Sequence, residues 1–240
     1  MTIREIIQDR YGMSSGGFTR QDIMNLLRDT GSSFSDRYIS FTLQNMLCKG
    51  EIERMERGRF HFPTGNKLLF APHPSDTIRQ LHADLKERFP FVDFCIWNTR
   101  DLFPLMHHVP NMQMLIVSCE KDTVASVAHS LANMTDRIVL PEPKRYDLEN
   151  IALGREVIVV NTLVSQAPVM EVDGVPVPKL EKILVDILVE EQFSYLEGSE
   201  SYRIFETAFS DYQVRQSMLL RYAGRRNRRE QVLEILKENS

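Results

Sequence analysis

Hydrophobic residues in the first 50 positions recur at helical spacing, in three short blocks. Apolar residues three and four positions apart lie on one face of an α-helix, so each block predicts an amphipathic helix. Gly12, Gly31 and Gly50 follow the blocks and are expected to end the helices. The predicted inner faces are Ile3, Ile6 and Ile7, then Ile23, Leu26 and Leu27, and then Ile39, Leu43, Met46 and Leu47.

Polar residues before the second and third blocks are typical of helix caps. Thr19 is followed three residues later by Asp22, a capping-box spacing that also puts a carboxylate in the first turn. Ser33 or Ser35 can cap a third helix that runs from about Asp36 to Lys49. The sequence therefore predicts locally stabilised starts for both helices.

Alternation of apolar and polar residues replaces the helical spacing after residue 50. The segments EIERM and RFHF each predict a half-buried strand, and Arg57-Gly58-Arg59 predicts a turn with positive charge at its tip. Helices followed by a basic hairpin are the order of a winged helix-turn-helix, which reads DNA through a helix in the major groove. Residues 1–70 are therefore predicted to be a winged helix-turn-helix DNA-binding domain.

Strands and helices alternate in the middle of the chain. Four runs rich in β-branched and aromatic residues predict strands: FVDFCIWNT, MQMLIVSCE, RIVLPEP and REVIVVNTL. Helical spacing predicts helices at 76–88 and 123–134. Asp173-Gly174, within PVMEVDGVPVP, is a strong hairpin-turn signal. This alternation predicts an α/β domain with a mixed sheet.

Three helical segments are predicted to close the chain. Pro178 is expected to open the first, which reaches Gln192. The others are expected at Ser201–Tyr212 and Val214–Leu236, and Gly224 could divide the last one.

The segment LFAPHPSD interrupts the hydrophobic pattern, so we place a linker at 71–75. The predicted fold class is α/β, or α+β overall. A winged helix-turn-helix at 1–70 is followed by a mixed-sheet α/β domain with C-terminal helices at 76–240.

The bulk composition favours a reduced, cytoplasmic protein. The chain has 240 residues, a formal net charge of −4 and three cysteines, none of them in a C-x-x-C pair. The first residues do not have the pattern of a signal peptide, and no apolar run is long enough to predict a membrane span. Residues 1–70 hold ten basic and eight acidic residues, a charge of +2, against −6 for the rest. The asymmetry has the sign expected for a DNA-binding head.

No set of residues in the sequence matches a catalytic or metal-binding signature. His107 and His108 are adjacent, so their side chains cannot easily converge on one metal. Asp93, Asp101 and Glu120 lie near predicted strand ends, where the active sites of open sheets gather, but no phosphate loop or zinc pattern accompanies them. We therefore expect no enzymatic activity, metal or cofactor. A nuclease or nucleotidyltransferase is the alternative, and it would require these carboxylates to converge.

The third predicted helix and the hairpin supply the candidate DNA contacts. Gln44 can pair with adenine, and Arg37 with guanine or a phosphate. Alternatively, the winged helix could serve protein contacts only, and Phe41 could pack against a neighbouring domain. The predicted DNA-binding residues are Arg37, Ser40, Phe41 and Gln44 in the helix and Arg54, Arg57 and Arg59 in the hairpin.

The densest positive charge lies near the C-terminus. It could contact DNA phosphates, dock an acidic partner protein, or pair with nearby acidic residues as a solvated surface. The residues concerned are Arg221, Arg225, Arg226, Arg228 and Arg229.

Segments at both ends of the chain resemble the AbiEi-type antitoxins of bacterial abortive-infection toxin–antitoxin systems. The matching segments are GFTRQDIMNLL and GEIERMERGRFHF at the head and PVPKLEKILVDIL, SYRIFETAF and RYAGRRNRRE at the tail. The resemblance implies a winged helix that binds and represses the operon's own promoter, and a second region that neutralises a partner toxin of nucleotidyltransferase type.

The partners expected from these patterns are double-stranded DNA, a toxin protein and, for DNA binding, a second copy of the chain in a homodimer. No membrane partner is expected. A protein-interaction module whose DNA contact is incidental is the alternative interpretation.

Overall fold

The structure, a computed structural model, divides into two compact units. The N-terminal unit comprises Met1–Leu68 with Arg215–Ser217, and the C-terminal unit comprises Leu69–Val214 with Met218–Ser240. The residues that the structure describes are 2–11, 17–29, 34–49, 51–56, 58–62, 67–108, 110, 113–149, 151, 156–196 and 198–238.

The N-terminal unit combines helices with a small antiparallel sheet. Its elements in chain order are α1 (Ile3–Tyr11), β1 (Phe18–Thr19), α2 (Arg20–Asp29), α3 (Asp36–Lys49), β2 (Glu53–Glu56) and β3 (Arg59–His61). The strand order is β1-β3-β2, with Phe60 of β3 opposite Phe18 on one side and Arg54 on the other. The sequence pattern does not reveal β1, because two residues are too few to show an alternation.

One hydrophobic core joins the three helices to this sheet. The side chains predicted to face inward from α1, α2 and α3 are buried or partly buried, and Phe18, Ile52 and Phe60 complete the core from the strands and the turn before them. Each helix therefore uses its apolar face for packing, which leaves the opposite face of α3 to solvent.

A reciprocal cap fixes the start of α2, as the Thr19 and Asp22 spacing predicts. The Thr19 backbone N–H donates to the Asp22 carboxylate at 2.7 Å, and the Asp22 N–H donates to the Thr19 hydroxyl at 3.2 Å. These backbone and hydroxyl hydrogen bonds lower the pKa of Asp22, and the positive charge of Arg59 lowers it further.

Replacing Thr19 with Ala should lower the free energy of unfolding by about 1 kcal/mol, because it removes the cap.

The stability of the protein should also depend on pH through Asp22. The folded pKa of Asp22 is below that of an unfolded aspartate, about 3.9, so ionised Asp22 stabilises the fold above pH 3.9. This stabilisation is lost as the pH falls through the folded pKa. Urea unfolding at a series of pH values should show this loss in the wild type and not in Asp22→Asn. The exposed Asp9→Asn on α1 is the control. Equal pH dependence in all three proteins would contradict the cap.

The C-terminal unit is built on a four-stranded mixed sheet. Strand β4 is antiparallel to β5, and β5, β7 and β6 are parallel, in the order β4-β5-β7-β6. A separate hairpin is formed by β8 and β9. The elements are α4 (Asp76–Arg88), β4 (Phe94–Asn98), β5 (Met114–Cys119), α5 (Val124–Met134), β6 (Ile138–Pro141), α6 (Arg145–Glu149), β7 (Val157–Thr162), β8 (Val169–Val172), β9 (Val175–Pro178), α7 (Leu180–Asp186), α8 (Ser199–Asp211), α9 (Gln216–Arg225) and α10 (Arg229–Glu238), with 3-10 turns at Thr99–Leu105, Lys121–Thr123 and Glu191–Leu196.

Both faces of this sheet are covered, which is why β5 and β7 are almost entirely buried and mainly apolar. Successive side chains of a strand point to opposite faces. Met114 and Ile116 join the core formed with α7, α8, α9 and α10, whereas Leu115 and Val117 join the core formed with α4 and α5. The predicted mixed-sheet α/β fold with C-terminal helices is confirmed.

Several predicted boundaries differ from the structure. Pro178 ends β9 rather than opening a helix, and Lys179 caps α7, which ends at Asp186 instead of reaching Gln192. The last predicted helix is divided by residues 226–228 rather than at Gly224. Asn227 has a φ of 56°, a left-handed conformation that asparagine tolerates at a helix end. The predicted turn at Asp173-Gly174 is confirmed, with φ values of 50° and 76°.

A cluster of buried charges joins α7 to α9. Lys182 and Asp186 are 3% and 6% exposed, and the Lys182 ammonium donates to the Asp186 carboxylate at 2.5 Å. The Tyr222 hydroxyl donates to the same carboxylate at 2.9 Å. Arg226 pairs with Glu190, and its Nε lies 4.0 Å from Asp186. Asp186 is therefore a buried residue that is paired with a buried cation.

The pKa shifts in this cluster follow from burial and from close charges. Burial disfavours the charged form of Lys182, but the adjacent Asp186 carboxylate outweighs it and raises the pKa of the ammonium. Burial, and then Asp186, raise the pKa of Tyr222. Burial and Asp186 also raise the pKa of Glu190, against the opposing charge of Arg226.

Replacing Asp186 with Asn should destabilise the protein by about 3–5 kcal/mol, because it leaves the Lys182 ammonium buried without its counter-charge. The double variant Lys182→Met/Asp186→Asn should be more stable than the sum of the single variants predicts. Chemical denaturation gives this double-mutant cycle, with the exposed Glu191→Gln as the control. Single-variant effects that add to within about 0.5 kcal/mol would rule out a coupled buried pair.

Candidate nucleic-acid interface

Four of the predicted DNA-binding residues share one exposed face of α3. The side chains of Ile39, Leu43 and Met46 are buried in the core. At 100° per residue, positions 37, 40, 41 and 44 project from the opposite side of the helix. The residues there are exposed, with Phe41 at 66% of its maximal area: Arg37, Ser40, Phe41 and Gln44.

The N-terminus of α3 is held by contacts on two sides. The Tyr38 backbone N–H donates to the Ser35 hydroxyl at 3.2 Å, so Ser35 supplies a predicted cap, whereas Ser33 lies outside the described residues. Arg20 at the start of α2 pairs with Asp36 at 2.9 Å, and its guanidinium also donates to the Asp36 carbonyl oxygen. These contacts help to stabilise the start of α3.

The hairpin β2–β3 carries exposed arginines, as predicted. The Arg54 guanidinium lies 5.6 Å from the centre of the Phe60 ring, a cation–π arrangement that orients it along the sheet. Arg59 is exposed and sits opposite Thr19, where its charge reaches Asp22. Gly58 has a φ of 84°, which the turn requires. Arg57 lies outside the described residues.

A shallow groove of about 340 Å³ runs between α1 and α3 beside this face. Tyr38 and Phe41 line it, with 47% and 66% of their areas exposed, and Arg4 and Glu51 form an ion pair at its side. The sequence prediction includes Phe41 but omits Tyr38. The three-residue spacing of these two aromatic residues is the signal that could have revealed it.

The basic run near the C-terminus is not a uniform surface. Arg226 is internal, with its side chain 13% exposed and paired with Glu190. Arg225 donates to Gln166 and Ser165, and Arg228 donates to the Leu188 carbonyl oxygen at 3.3 Å. The exposed arginines are Arg221, Arg225, Arg228 and Arg229.

The three carboxylates considered for catalysis lie at opposite ends of the β4–β5 strand pair, two at one end and one at the other. Asp93 precedes β4 and Glu120 follows β5, next to the paired residues Phe94 and Cys119. Asp101 follows the other end of β4, roughly 16 Å along the strand. It accepts backbone hydrogen bonds, and burial raises its pKa. Among the described residues, no group of three His, Cys, Asp or Glu side chains could hold a metal ion.

The adjacent histidines are surface residues that anchor a loop through their backbone. The N–H groups of His107 and His108 donate to the Glu200 carboxylate at 2.9 and 3.4 Å. Their rings lie edge to face with centres 5.1 Å apart.

Within the described part of the chain, no helix has the length and apolar character needed to cross a membrane.

The C-terminal unit and the greater part of α3 fall within a recognised family. The chain belongs to a family of unknown function, DUF6577, whose model matches residues 38–240. The match begins inside α3 and continues through the hairpin and the C-terminal unit. No curated protein matches the chain.

Proposed function

We propose that the protein is a non-enzymatic transcriptional regulator whose N-terminal unit is a winged helix-turn-helix that binds double-stranded DNA. The observation that carries this proposal is the exposed face of α3, which opposes a fully buried apolar face. The order of helices and strands, with a short hairpin after α3, is the order of known winged helices and supports it.

The side chains on α3 have the chemistry of base recognition. Helix α3 has 14 residues and is about 21 Å long, and a B-form major groove about 12 Å wide admits such a helix. Gln44 can make two hydrogen bonds to adenine, and Arg37 to guanine. Phe41 can contact a thymine methyl group, and Ser40 can bond to either base edge or backbone.

The hairpin is suited to phosphate contact. Arg54, Arg57 and Arg59 would lie along the backbone, where each neutralised phosphate adds to the salt dependence of binding. The modest charge of residues 1–70 favours binding as a homodimer, since two half-sites combine two sets of weak contacts. We propose the promoter of the protein's own operon as the target, in keeping with the resemblance to AbiEi-type antitoxins.

Replacing Arg54 and Arg59 with Ala should weaken binding to every DNA sequence, because phosphate contacts carry no sequence information. The slope of log K against log salt should become shallower by about 1–2 units. Fluorescence anisotropy with a duplex from upstream of the gene measures both. Arg203→Ala on α8 is the matched control. An unchanged salt slope in the double variant would contradict a wing that binds phosphates.

Replacing Gln44 with Ala should instead reduce discrimination between the upstream duplex and a scrambled duplex. One lost bidentate contact costs about 1–3 kcal/mol on the correct base and little on the others. Competition titrations give the affinity ratio directly. If the variant lost affinity for both duplexes equally, Gln44 would not read bases.

We also propose that the C-terminal unit binds and neutralises a nucleotidyltransferase-type toxin. The resemblance supports this role, as do the exposed aromatic rings of Phe91, Tyr146 and Tyr202, a residue type enriched at protein interfaces. Co-purification with the product of the adjacent gene, and rescue of growth when both are expressed, test it. A genome with no nucleotidyltransferase-like neighbour would exclude this part of the proposal.

A further inference from the structure

A cavity of about 600 Å³ opens in the C-terminal unit, beyond the carboxyl ends of the parallel strands β5 and β7 of the main sheet. Its position follows from the strand register, in which Phe94, Cys119 and Thr162 are neighbours across β4, β5 and β7. Glu120 and Leu163, the residues that follow β5 and β7, both line it. Ligands of open α/β sheets bind beyond the carboxyl ends of the parallel strands, which is where this cavity lies.

The walls of the cavity are largely apolar, and the volume is in the range of small-molecule sites, roughly 300–1,000 Å³. Helix α4 adds two polar residues one turn apart, His82 and Lys86. The apolar lining residues are Phe94, Leu163, Val164, Ala167, Val169 and Pro176.

The cations around the cavity are already engaged. The Lys86 ammonium donates to the carbonyl oxygens of Pro90 and Val92, both at 3.0 Å. Arg225 binds the side chains of Ser165 and Gln166, which form part of the wall. Burial, and then the charge of Lys86, lower the pKa of His82, so its imidazole is neutral at pH 7 although Glu171 opposes the shift.

The carboxylates around the cavity are not engaged in this way. Asp93, Glu120 and Glu171 line it with solvent-exposed side chains, and within the described part of the chain these side chains make no hydrogen bond or ion pair. A concave site with apolar walls and unpaired carboxylates is complementary to a positive group on an apolar stem.

We propose that this cavity binds an organic cation, an ammonium or guanidinium group carried on an apolar stem. The stem lies against the wall formed by Phe94 and Val169, and the cation meets Glu120, Glu171 and Asp93 at the polar side. The same chemistry is available from a free amine and from a lysine or arginine side chain of a partner protein. The site is in the C-terminal unit and is independent of DNA binding.

Isothermal titration of the full-length protein with phenethylamine tests the proposal. The uncharged phenethyl alcohol and the anionic 3-phenylpropanoate are the ligand controls. Hydrogen bonds to charged groups are stronger than those between neutral groups, so the amine should bind about tenfold or more tightly than the alcohol. The carboxylate should bind more weakly still. Equal affinity for amine and alcohol would overturn the proposal.

Isosteric amide variants locate the binding site. Glu120→Gln/Glu171→Gln should reduce the affinity for phenethylamine by about tenfold or more, whereas Glu206→Gln on α8, outside the cavity, should leave it unchanged. Unchanged affinity in the double variant would overturn the proposal, with circular dichroism confirming that the variant is folded.

N-acetyl-lysine N-methylamide serves as a second probe. Tighter binding of this probe than of phenethylamine identifies a partner's side chain as the natural ligand, and the reverse order identifies a free amine.

Discussion

The burial of one face of α3 is the constraint on which the functional account depends. Ile39, Leu43 and Met46 enter the core of the N-terminal unit, so the helix cannot rotate without exposing them. The cap from Ser35 and the ion pair between Arg20 and Asp36 hold the start of the helix in place. Because the inner face is fixed, the outer face is fixed too, and it presents polar and aromatic side chains rather than a dense positive charge. Such a surface suits selective base contacts better than strong nonspecific binding.

The C-terminal unit is stabilised in a different way. Its sheet is covered on both faces, and the helices on one side are joined by the buried charges of Lys182, Asp186 and Arg226. A buried ion cluster is costly to desolvate, and removing one of its charges leaves the partner buried without compensation. The cavity beside α4 and the hairpin β8–β9 lies within this unit, and the ligand proposed for it is separate from the DNA contact proposed for α3.

Local signals in the sequence predicted the parts of the fold that local chemistry decides. The Thr19–Asp22 cap, the apolar runs of β5 and β7 and the turn at Asp173-Gly174 depend on neighbouring residues, and the structure contains all of them. The outward direction of the α3 side chains also followed from helical periodicity.

Features that depend on residues distant in sequence were missed. Charged residues such as Lys182 and Asp186 are usually exposed, and the local sequence does not show that Tyr222 and Arg226 pack over them. In the sequence, Arg226 also has nothing that distinguishes it from the exposed arginines beside it. Pro178 has a conformation common to helix starts and strand ends, so pairing with Val169 decides its role. The cavity arises only when three strand ends and α4 meet.

Protection of guanine N7 from methylation is the most direct test of the central claim, because that atom lies in the major groove. The experiment uses the full-length protein and a duplex from upstream of its gene. Our account predicts protected guanines within a short segment, or within two segments one helical turn apart for a dimer, and loss of that protection in Arg37→Ala. Equal methylation of every guanine with and without saturating protein would contradict a DNA-reading α3.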